Sequence, residues 1–512
     1  MDEAQASPRQ GGRFHLLEAT IDSVHAAMGA GQLTCRQLVQ LYIDRINAYD
    51  QRGPALNSIQ TLNPAALEEA DRRDAALRAS GRTGPLHGIP VVVKDQVETT
   101  DMPTTYGSAL FKDFVPERNA TVVEKLKAAG AIILAKNTMS EYAQPGYHGS
   151  AFGFSRNPYD PRRTPGGSSC GTAVAVGANL GAVGVGEDTG GSIRGPGSYN
   201  SLVALRPTMG LVSRFGMLPG TPTRDTLGPM ARTVRDAAIL LDVLAGYDPN
   251  DPITAYSVGH IPSTYTSFLT VDGLRGLRLG IIREPIGTGI DTEAEDHRQI
   301  RAAIDRALGD MAAGGADIID PVPVTAILEV LRRPGGGGET ETAIDRYLAA
   351  HPNAPVKTLR EIVLSPDGLV LPSHRFQMAE SLGRTMSDPG YLQTLLNREE
   401  LRQEVFKLMA DSRLDALVYA TVEHDPPLIP VDVLSTNEDR RSRGSNSALS
   451  PAIGFPALTV PAGFTTDGLP VGISFLGRPF SEGILFRIAY GYEQPRAHRK
   501  PPETAPALPG EP

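Results

Sequence analysis

The chain has 512 residues, 40% of them hydrophobic, and a formal net charge of −9 at pH 7. This length suffices for a large hydrophobic core, whereas the negative charge disfavours general binding to nucleic acid. Two cysteines are too few for a disulfide framework, and the sequence lacks both a secretory signal and an apolar run long enough to cross a membrane, so we predict a cytoplasmic protein.

The N-terminal part of the chain predicts helices and one short buried strand. Residues 1–12 are polar and are predicted to be disordered. An amphipathic helix is expected from Thr34, whose hydroxyl can cap its first turn. Residues 64–79 predict a second helix, and residues 91–93 predict a buried strand that ends at Lys94. Active sites of α/β proteins often lie at such strand ends.

The middle of the chain alternates between helical and strand patterns, which indicates α/β architecture. The segments concerned are residues 121–135 (helix, then strand from 131), 182–186 (strand), 232–245 (helix), 277–282 (strand) and 293–313 (helix). Residues 320–445 are less regular and are expected to help shape a pocket. They contain a glycine run at 334–338, which we interpret as a surface loop rather than a lid hinge, and a strand at 414–419.

Two clusters of glycine and hydroxyl residues lie close together, at residues 166–171 and 189–192. Glycine allows backbone to approach a ligand closely, and a serine hydroxyl becomes a nucleophile when a base takes its proton. Backbone N–H groups of the second cluster would then stabilise the oxyanion of a tetrahedral intermediate. From these residues alone, a catalytic site and a glycine-rich structural turn remain about equally good interpretations.

This stretch resembles the signature of the amidase signature family of serine hydrolases, which use a Ser–Ser–Lys triad. Ser192 matches the nucleophile of that pattern and Ser168 the bridging serine. Lys94, at the end of a Val-Val-Val-Lys-Asp segment, matches the base. Two positions depart from the pattern, because Cys170 replaces a glycine and Glu187 replaces a threonine. Both are expected to alter the lining of the site without removing a triad member.

The resemblance implies the fold of the whole chain. It covers roughly residues 34–495, including glycine- and proline-bearing segments near the C-terminus that match the family. The implied architecture is an α/β fold, in which α-helices cover both faces of a twisted mixed β-sheet. We therefore predict a single domain over residues 13–498, followed by a disordered, proline-rich tail at residues 499–512.

The resemblance also implies the chemistry, which is hydrolysis of an amide C–N bond, with carbamates and esters as further substrates. Lys94, neutral because burial disfavours its charged form, would take a proton from Ser168 as Ser168 takes one from Ser192. The peptide bond between Gly167 and Ser168 is predicted to be cis. The oxyanion would be bound by N–H groups of Thr189, Gly190 and Gly191. Supporting roles fall to Ser169, Asp188 and Arg194.

Two other interpretations give the chain a different active site or a different assembly. Residues 167–171 also fit the Gly-x-Ser-x-Gly elbow of α/β-hydrolases, with Ser169 as nucleophile. That elbow follows a buried strand, whereas residues 161–165 contain two prolines and cannot form a central strand. A glutaminase subunit of a tRNA-dependent amidotransferase shares the signature as well, but it would need partner subunits. A non-catalytic scaffold is disfavoured by the intact triad.

The expected partners are a small-molecule amide and water, without nucleic acid or membrane, and the expected assembly is a monomer or homodimer. Neither the ligand spacing of a zinc site nor a phosphate-binding loop occurs in the sequence. We therefore predict neither a metal nor a cofactor. The thiol of Cys170 is interpreted as a small residue filling a glycine-sized gap rather than as a reactive group.

Overall fold

The computed structural model describes residues 13–369, 371–431, 444–496 and 498–512. The predicted order or disorder of residues 1–12 lies outside this description. The strands are β1 (Ile59–Leu62), β2 (Pro90–Lys94), β3 (Ile132–Asn137), β4 (His148–Gly149), β5 (Gly153–Phe154), β6 (Val183–Asp188), β7 (Val203–Arg206), β8 (Thr226–Ala231), β9 (Arg278–Ile281), β10 (Asp317–Ile319), β11 (Ala416–Ala420), β12 (Ala457–Phe464) and β13 (Pro470–Leu476).

The α-helices accompany these strands along the whole described chain. They are α1 (Ile21–Gly29), α2 (Cys35–Tyr49), α3 (Ala66–Ser80), α4 (Thr121–Ala128), α5 (Cys170–Gly177), α6 (Arg194–Tyr199), α7 (Val234–Leu244), α8 (Glu295–Ala313), α9 (Thr325–Leu331), α10 (Thr340–Ala349), α11 (Leu359–Leu364), α12 (Pro372–Ala379), α13 (Pro389–Asp411), α14 (Leu449–Ile453) and α15 (Glu482–Glu493). None of these described helices is both long enough and apolar enough to cross a membrane.

Eleven strands form one mixed sheet in the order β1-β3-β2-β6-β8-β7-β12-β13-β11-β9-β10. β2 runs parallel to both of its neighbours, β3 and β6, whereas β6 runs antiparallel to β8. Every residue of β2 and of β6 is buried, as expected for strands whose two faces are both covered by helices. The predicted α/β class, a mixed sheet covered by helices on both sides, is confirmed.

Small residues between the two glycine clusters let α5 pack closely against the sheet. A Cβ atom on Gly184 of β6 would lie 2.6 Å from Cγ2 of Thr172. A Cβ atom on Gly171 would lie only 2.6 Å from the backbone nitrogen of Thr138. This close packing fixes the N-terminus of α5 beside the C-terminal end of β6, so the two clusters meet.

Within residues 320–445, the described part is more regular than the sequence pattern indicates. Five helices, α9 to α13, occupy residues 325–411. In α13 the buried residues recur at helical spacing, but exposed leucines at 392, 395 and 396 lie between them and obscure the pattern. The pocket-shaping role expected for this region agrees with the structure, because α12 and α13 contribute to a cavity wall.

The C-terminal tail differs from the predicted disorder, because described residues 498–512 pack against α2. Ala505 is fully buried, and Arg45 donates to its carbonyl oxygen over 2.7 Å. Nη1 of Arg45 lies 2.9 Å from Oε2 of Glu511, with both side chains almost completely buried. Proline-rich composition predicted disorder, but a buried arginine far away in the sequence supplies partners for the tail.

Removing the charge of Glu511 is expected to destabilise the fold. In Glu511→Gln the buried Arg45 guanidinium loses its counter-ion, and breaking a buried ion pair typically costs about 3–5 kcal/mol. Glu503→Gln is the matched control, because Glu503 is exposed and has no ion-pair partner among the described residues. Denaturant unfolding should separate the two variants, and equal stabilities would show that the tail contributes little to the fold.

Candidate active site

A cavity of about 1850 Å³ opens beside the two glycine clusters. Its wall includes Gly167 of the first cluster and all four residues of the second cluster, Thr189 to Ser192. Ser192 is half-buried and lies on the cavity wall. The remaining wall comes from segments far apart in sequence, including α12, α13 and the loop that follows β9.

Lys94 is the last residue of β2 and is fully buried. Its Nζ lies 2.7 Å from Oγ of Ser168, which is also fully buried. The peptide bond between Gly167 and Ser168 is cis, which confirms that prediction. The structure thus joins the end of a central strand to the first cluster by one short hydrogen bond.

Glu187 contacts Lys94 directly, which the sequence did not predict. Because β2 and β6 are parallel neighbours, Lys94 and Glu187 lie side by side at the C-terminal ends of these two strands. Oε2 of Glu187 lies 2.7 Å from Nζ of Lys94, and both side chains are fully buried. Burial raises the pKa of the Glu187 carboxyl, because water no longer solvates its charge. Two adjacent acidic residues at the end of an otherwise apolar buried strand were the available signal.

Cys170 and Glu187, which depart from the family pattern, were expected to alter the lining of the site, but neither lies on the cavity wall. Glu187 and Cys170 are fully buried and do not contribute to the cavity lining. Burial raises the pKa of the Cys170 thiol, so it is held in its unreactive, protonated form. Its sulfur lies 3.6 Å from the Ser155 hydroxyl. The interpretation of Cys170 as a small filling residue agrees with these contacts.

Asp188 holds the second cluster in shape. Its carboxylate accepts hydrogen bonds from the N–H groups of Gly191, over 2.8 Å, and of Ile193, over 3.1 Å. It also pairs with Arg194 and with Arg206, whose side chains are fully buried. Burial alone would raise the pKa of this carboxyl, but the two guanidiniums hold it well below its ordinary value. Arg206, a charged residue in the buried strand β7, was not singled out from the sequence.

Ser169 connects the two clusters rather than facing the cavity. Its N–H donates to the carbonyl oxygen of Ser192 over 3.3 Å. Its hydroxyl donates to the carbonyl oxygen of Glu187 over 3.0 Å and accepts from the N–H of the same residue. Because Ser169 is fully buried and its hydroxyl is used on both sides, its position is poor for attack on a ligand in the cavity.

The N–H groups of the second cluster are not equivalent. Gly191 donates to Asp188, so its N–H is occupied. The N–H groups of Thr189, Gly190 and Ser192 donate to no other residue within the part of the chain that the structure describes. The same holds for the Ser192 hydroxyl, which has no hydrogen-bond partner in those ranges. Among the described residues, the second cluster therefore has three unoccupied N–H groups and one unoccupied hydroxyl, all on residues of the cavity wall.

The described residues contain no group of three or more His, Cys, Asp or Glu side chains placed to hold a metal ion. The buried charges behind the two glycine clusters are those of Lys94, Glu187 and the Asp188 cluster, and the cavity wall adds charged side chains that include Arg224 and Arg398. A mixed sheet between helices, with two glycine clusters beside one cavity and a buried lysine bonded to the first of them, is the arrangement implied by the resemblance to the amidase signature family. Comparison with known proteins agrees with this assignment.

The Amidase family model matches residues 37–486. The chain is 33% identical to the probable amidase At4g34880 of Arabidopsis thaliana, over 96% of this chain and 92% of that protein. It is also 33% identical to a glutamyl-tRNA(Gln) amidotransferase subunit of Thermosynechococcus vestitus, over 93% of this chain and 98% of that protein. The chain belongs to the amidase signature family.

Solved structures show the same relationship. The native peptide amidase of Stenotrophomonas maltophilia superposes with a TM-score of 0.83 at 34% sequence identity, covering 95% of this chain and 99% of that one. An amidase family protein of Bacillus anthracis gives a TM-score of 0.82 at 33% identity, covering 95% and 93%. The family and fold implied by the resemblance are thus confirmed, and the chain is an amidase-family hydrolase.

Proposed function

We propose that this chain hydrolyses an amide C–N bond through an acyl-enzyme formed on Ser192. The observation that carries the proposal is the 2.7 Å contact between Nζ of Lys94 and Oγ of the buried Ser168, which follows Gly167 in the wall of the cavity that also presents Ser192. A buried amine next to a hydroxyl can act as a general base, and the second cluster offers N–H donors where negative charge develops.

The reaction begins when Oγ of Ser192 attacks the carbonyl carbon of the bound amide. The Ser192 proton passes to Ser168 as the Ser168 proton passes to Nζ of Lys94. The carbonyl oxygen becomes an oxyanion and accepts hydrogen bonds from cavity-side N–H groups. Of the donors implied by the resemblance, Thr189 and Gly190 keep this role. The third donor is reassigned from Gly191, which Asp188 occupies, to the N–H of Ser192.

Collapse of the tetrahedral intermediate breaks the C–N bond. The proton held by Lys94 returns through Ser168 to the leaving amine, which could not depart as an anion. Water then attacks the acyl-enzyme by the same proton path and restores Ser192. A lysine base suits amides for this reason, and the same carbonyl chemistry extends to carbamates and esters. The proposed partners are therefore one small-molecule amide and water, without metal or cofactor.

A second candidate function is the glutaminase reaction of a tRNA-dependent amidotransferase. It is favoured by 33% identity to an amidotransferase subunit over nearly the full length of both proteins. The Stenotrophomonas maltophilia protein, which is named a peptide amidase, is 34% identical to this chain. The two identities do not separate the candidates, and we propose as the first an amidase that acts without partner subunits. Location in the cytoplasm and a monomeric or homodimeric state stay predictions.

The two candidates are separated by assaying the purified chain alone. A panel of aryl amides, aliphatic amides, peptide amides, esters, carbamates and glutamine is incubated with the enzyme, with and without EDTA. We expect hydrolysis of at least one amide class, unaffected by the chelator. Glutamine hydrolysis that requires added amidotransferase subunits would support the second function. Loss of activity with EDTA, restored by a divalent ion, would contradict the metal-free mechanism.

A further inference from the structure

We propose that Glu187 is a positioning residue for Lys94, serving as counter-ion to the ammonium that forms when Lys94 takes the Ser168 proton. This inference rests on the proposed function and adds to its three residues, Ser192, Ser168 and Lys94, a fourth that carries no proton itself. The contact that carries it is the 2.7 Å pair between Oε2 of Glu187 and Nζ of Lys94, inside the fold and away from the cavity.

The geometry fixes the orientation of the lysine from two sides. Nζ of Lys94 contacts Ser168 on one side and Glu187 on the other, each at 2.7 Å. A lysine side chain otherwise has many rotamers, so two fixed partners keep its nitrogen directed at the Ser168 hydroxyl. The buried aspartate of a Ser–His–Asp triad has the same relation to its histidine, which it orients and whose cation it stabilises.

Glu187 is itself held in place by the second cluster. Its Oε1 lies 2.6 Å from the Thr189 hydroxyl, which in turn lies 2.7 Å from Oδ1 of Asp225. The other contacts of Asp225 are with backbone N–H groups of Gly220 and Thr221. Thr189 thus belongs to both parts of the site. Its side chain contacts the Glu187 carboxylate, and its backbone N–H is one of the proposed oxyanion donors.

Few other ionisable groups lie near the pair of Glu187 and Lys94. Besides Lys94 on β2, the ionisable groups that act on Glu187 are Asp225, in the segment before β8, and Arg206 on β7. Cys170 on α5 lies near Lys94, and burial keeps its thiol protonated. Lys94 is therefore the cation with which Glu187 makes a direct contact. Each of the two buried groups favours the charged form of the other, because either charge alone would be costly.

This mutual stabilisation has a consequence for the rate as a function of pH. A carboxylate next to Nζ stabilises the ammonium that forms when Lys94 accepts the Ser168 proton. Without the carboxylate this ammonium is destabilised, both in the transfer step and toward protons from solvent. Loss of the charge should therefore move the acid limb of the rate profile to lower pH and reduce the plateau rate.

The test is the rate at which a fluorophosphonate labels Ser192, measured from acid to alkaline pH in wild type and Glu187→Gln. This probe needs no knowledge of the natural substrate, and its leaving group needs no proton. We expect the acid limb to move to lower pH and the plateau to fall about 10- to 100-fold, by analogy with the loss of a residue that orients a metal-ligating side chain. Glu187→Asp, which keeps the charge, should return the acid limb toward its wild-type position.

A matched control is Glu482→Gln. Glu482 is also fully buried, but its partner is the backbone N–H of Thr208, so this variant should leave the acid limb in place. If Glu187→Gln does not fold, Glu187→Thr carries the same expectation. If the labelling rate of Glu187→Gln falls by the same factor at every pH and the acid limb does not move, Glu187 only fills space. That result would overturn the inference. Labelling that does not depend on Lys94 at all would instead overturn the proposed function.

Discussion

Replacing Ser192 by alanine is expected to lower amide turnover by roughly 10⁶-fold, the size of the loss when a serine hydrolase loses its nucleophile. The alanine variant keeps the N–H donors and the cavity, so substrate binding should survive while acyl transfer stops. Folding should be unchanged, because the Ser192 hydroxyl has no hydrogen-bond partner among the described residues. Turnover of the best amide from the panel, together with a thermal melt, measures both effects.

The control for this variant is Ser169→Ala. Ser169 is buried, and within the described ranges its hydroxyl bonds only to the backbone of Glu187, so its loss should reduce stability and rate modestly. If Ser169→Ala were the inactive variant and Ser192→Ala retained turnover, the α/β-hydrolase elbow would describe the site, despite the burial of Ser169.

Loss of Lys94 is expected to lower turnover by about 10²–10⁴-fold, the usual contribution of a positioned base. Lys94→Ala removes the amine, and Lys94→Arg should be equally damaging because arginine keeps its proton at any working pH. A mechanism that needs an unprotonated amine predicts a wild-type rate that rises with pH to a plateau. The pH–rate profile of each variant, with the same amide, tests this expectation.

Lys136 offers the matched control, since it is a second fully buried lysine at the end of a parallel strand. It pairs with Asp95 over 3.2 Å rather than with a serine of the clusters. Lys136→Ala should destabilise the protein and leave the pH dependence of the rate in place. Near-normal turnover in Lys94→Arg would show that Lys94 supplies only positive charge, and the proton path would have to be abandoned.

Much of the architecture and of the candidate site could be predicted from the sequence. The buried strand ending at Lys94 and the two glycine clusters could be identified because the apolar run at 91–93, glycine chemistry and the family pattern agreed. Glycines in and after the first cluster allow α5 to lie directly on β6. In each of these segments the sequence pattern lies within a few residues of the structural feature that it predicts.

The parts that escaped prediction depend on partners distant in sequence. Glu187 was expected to line the cavity, but its contact with Lys94 depends on which strands are neighbours in the sheet. Arg206 reaches Asp188 from another strand, and Arg45 holds the C-terminal tail from α2. Composition predicted a disordered tail because proline-rich segments rarely form a core by themselves. A single buried guanidinium changes that outcome by supplying hydrogen bonds and charge.

Covalent labelling tests the central claim, an acyl-enzyme on Ser192, most directly. Intact-mass measurement after treatment with a fluorophosphonate should show one adduct on the wild-type chain and on Ser169→Ala, with the modified peptide containing Ser192. Ser192→Ala should show none under the same conditions. An adduct that persists in Ser192→Ala, or one that maps to another residue of the wild-type chain, would contradict the assignment and the mechanism built on it.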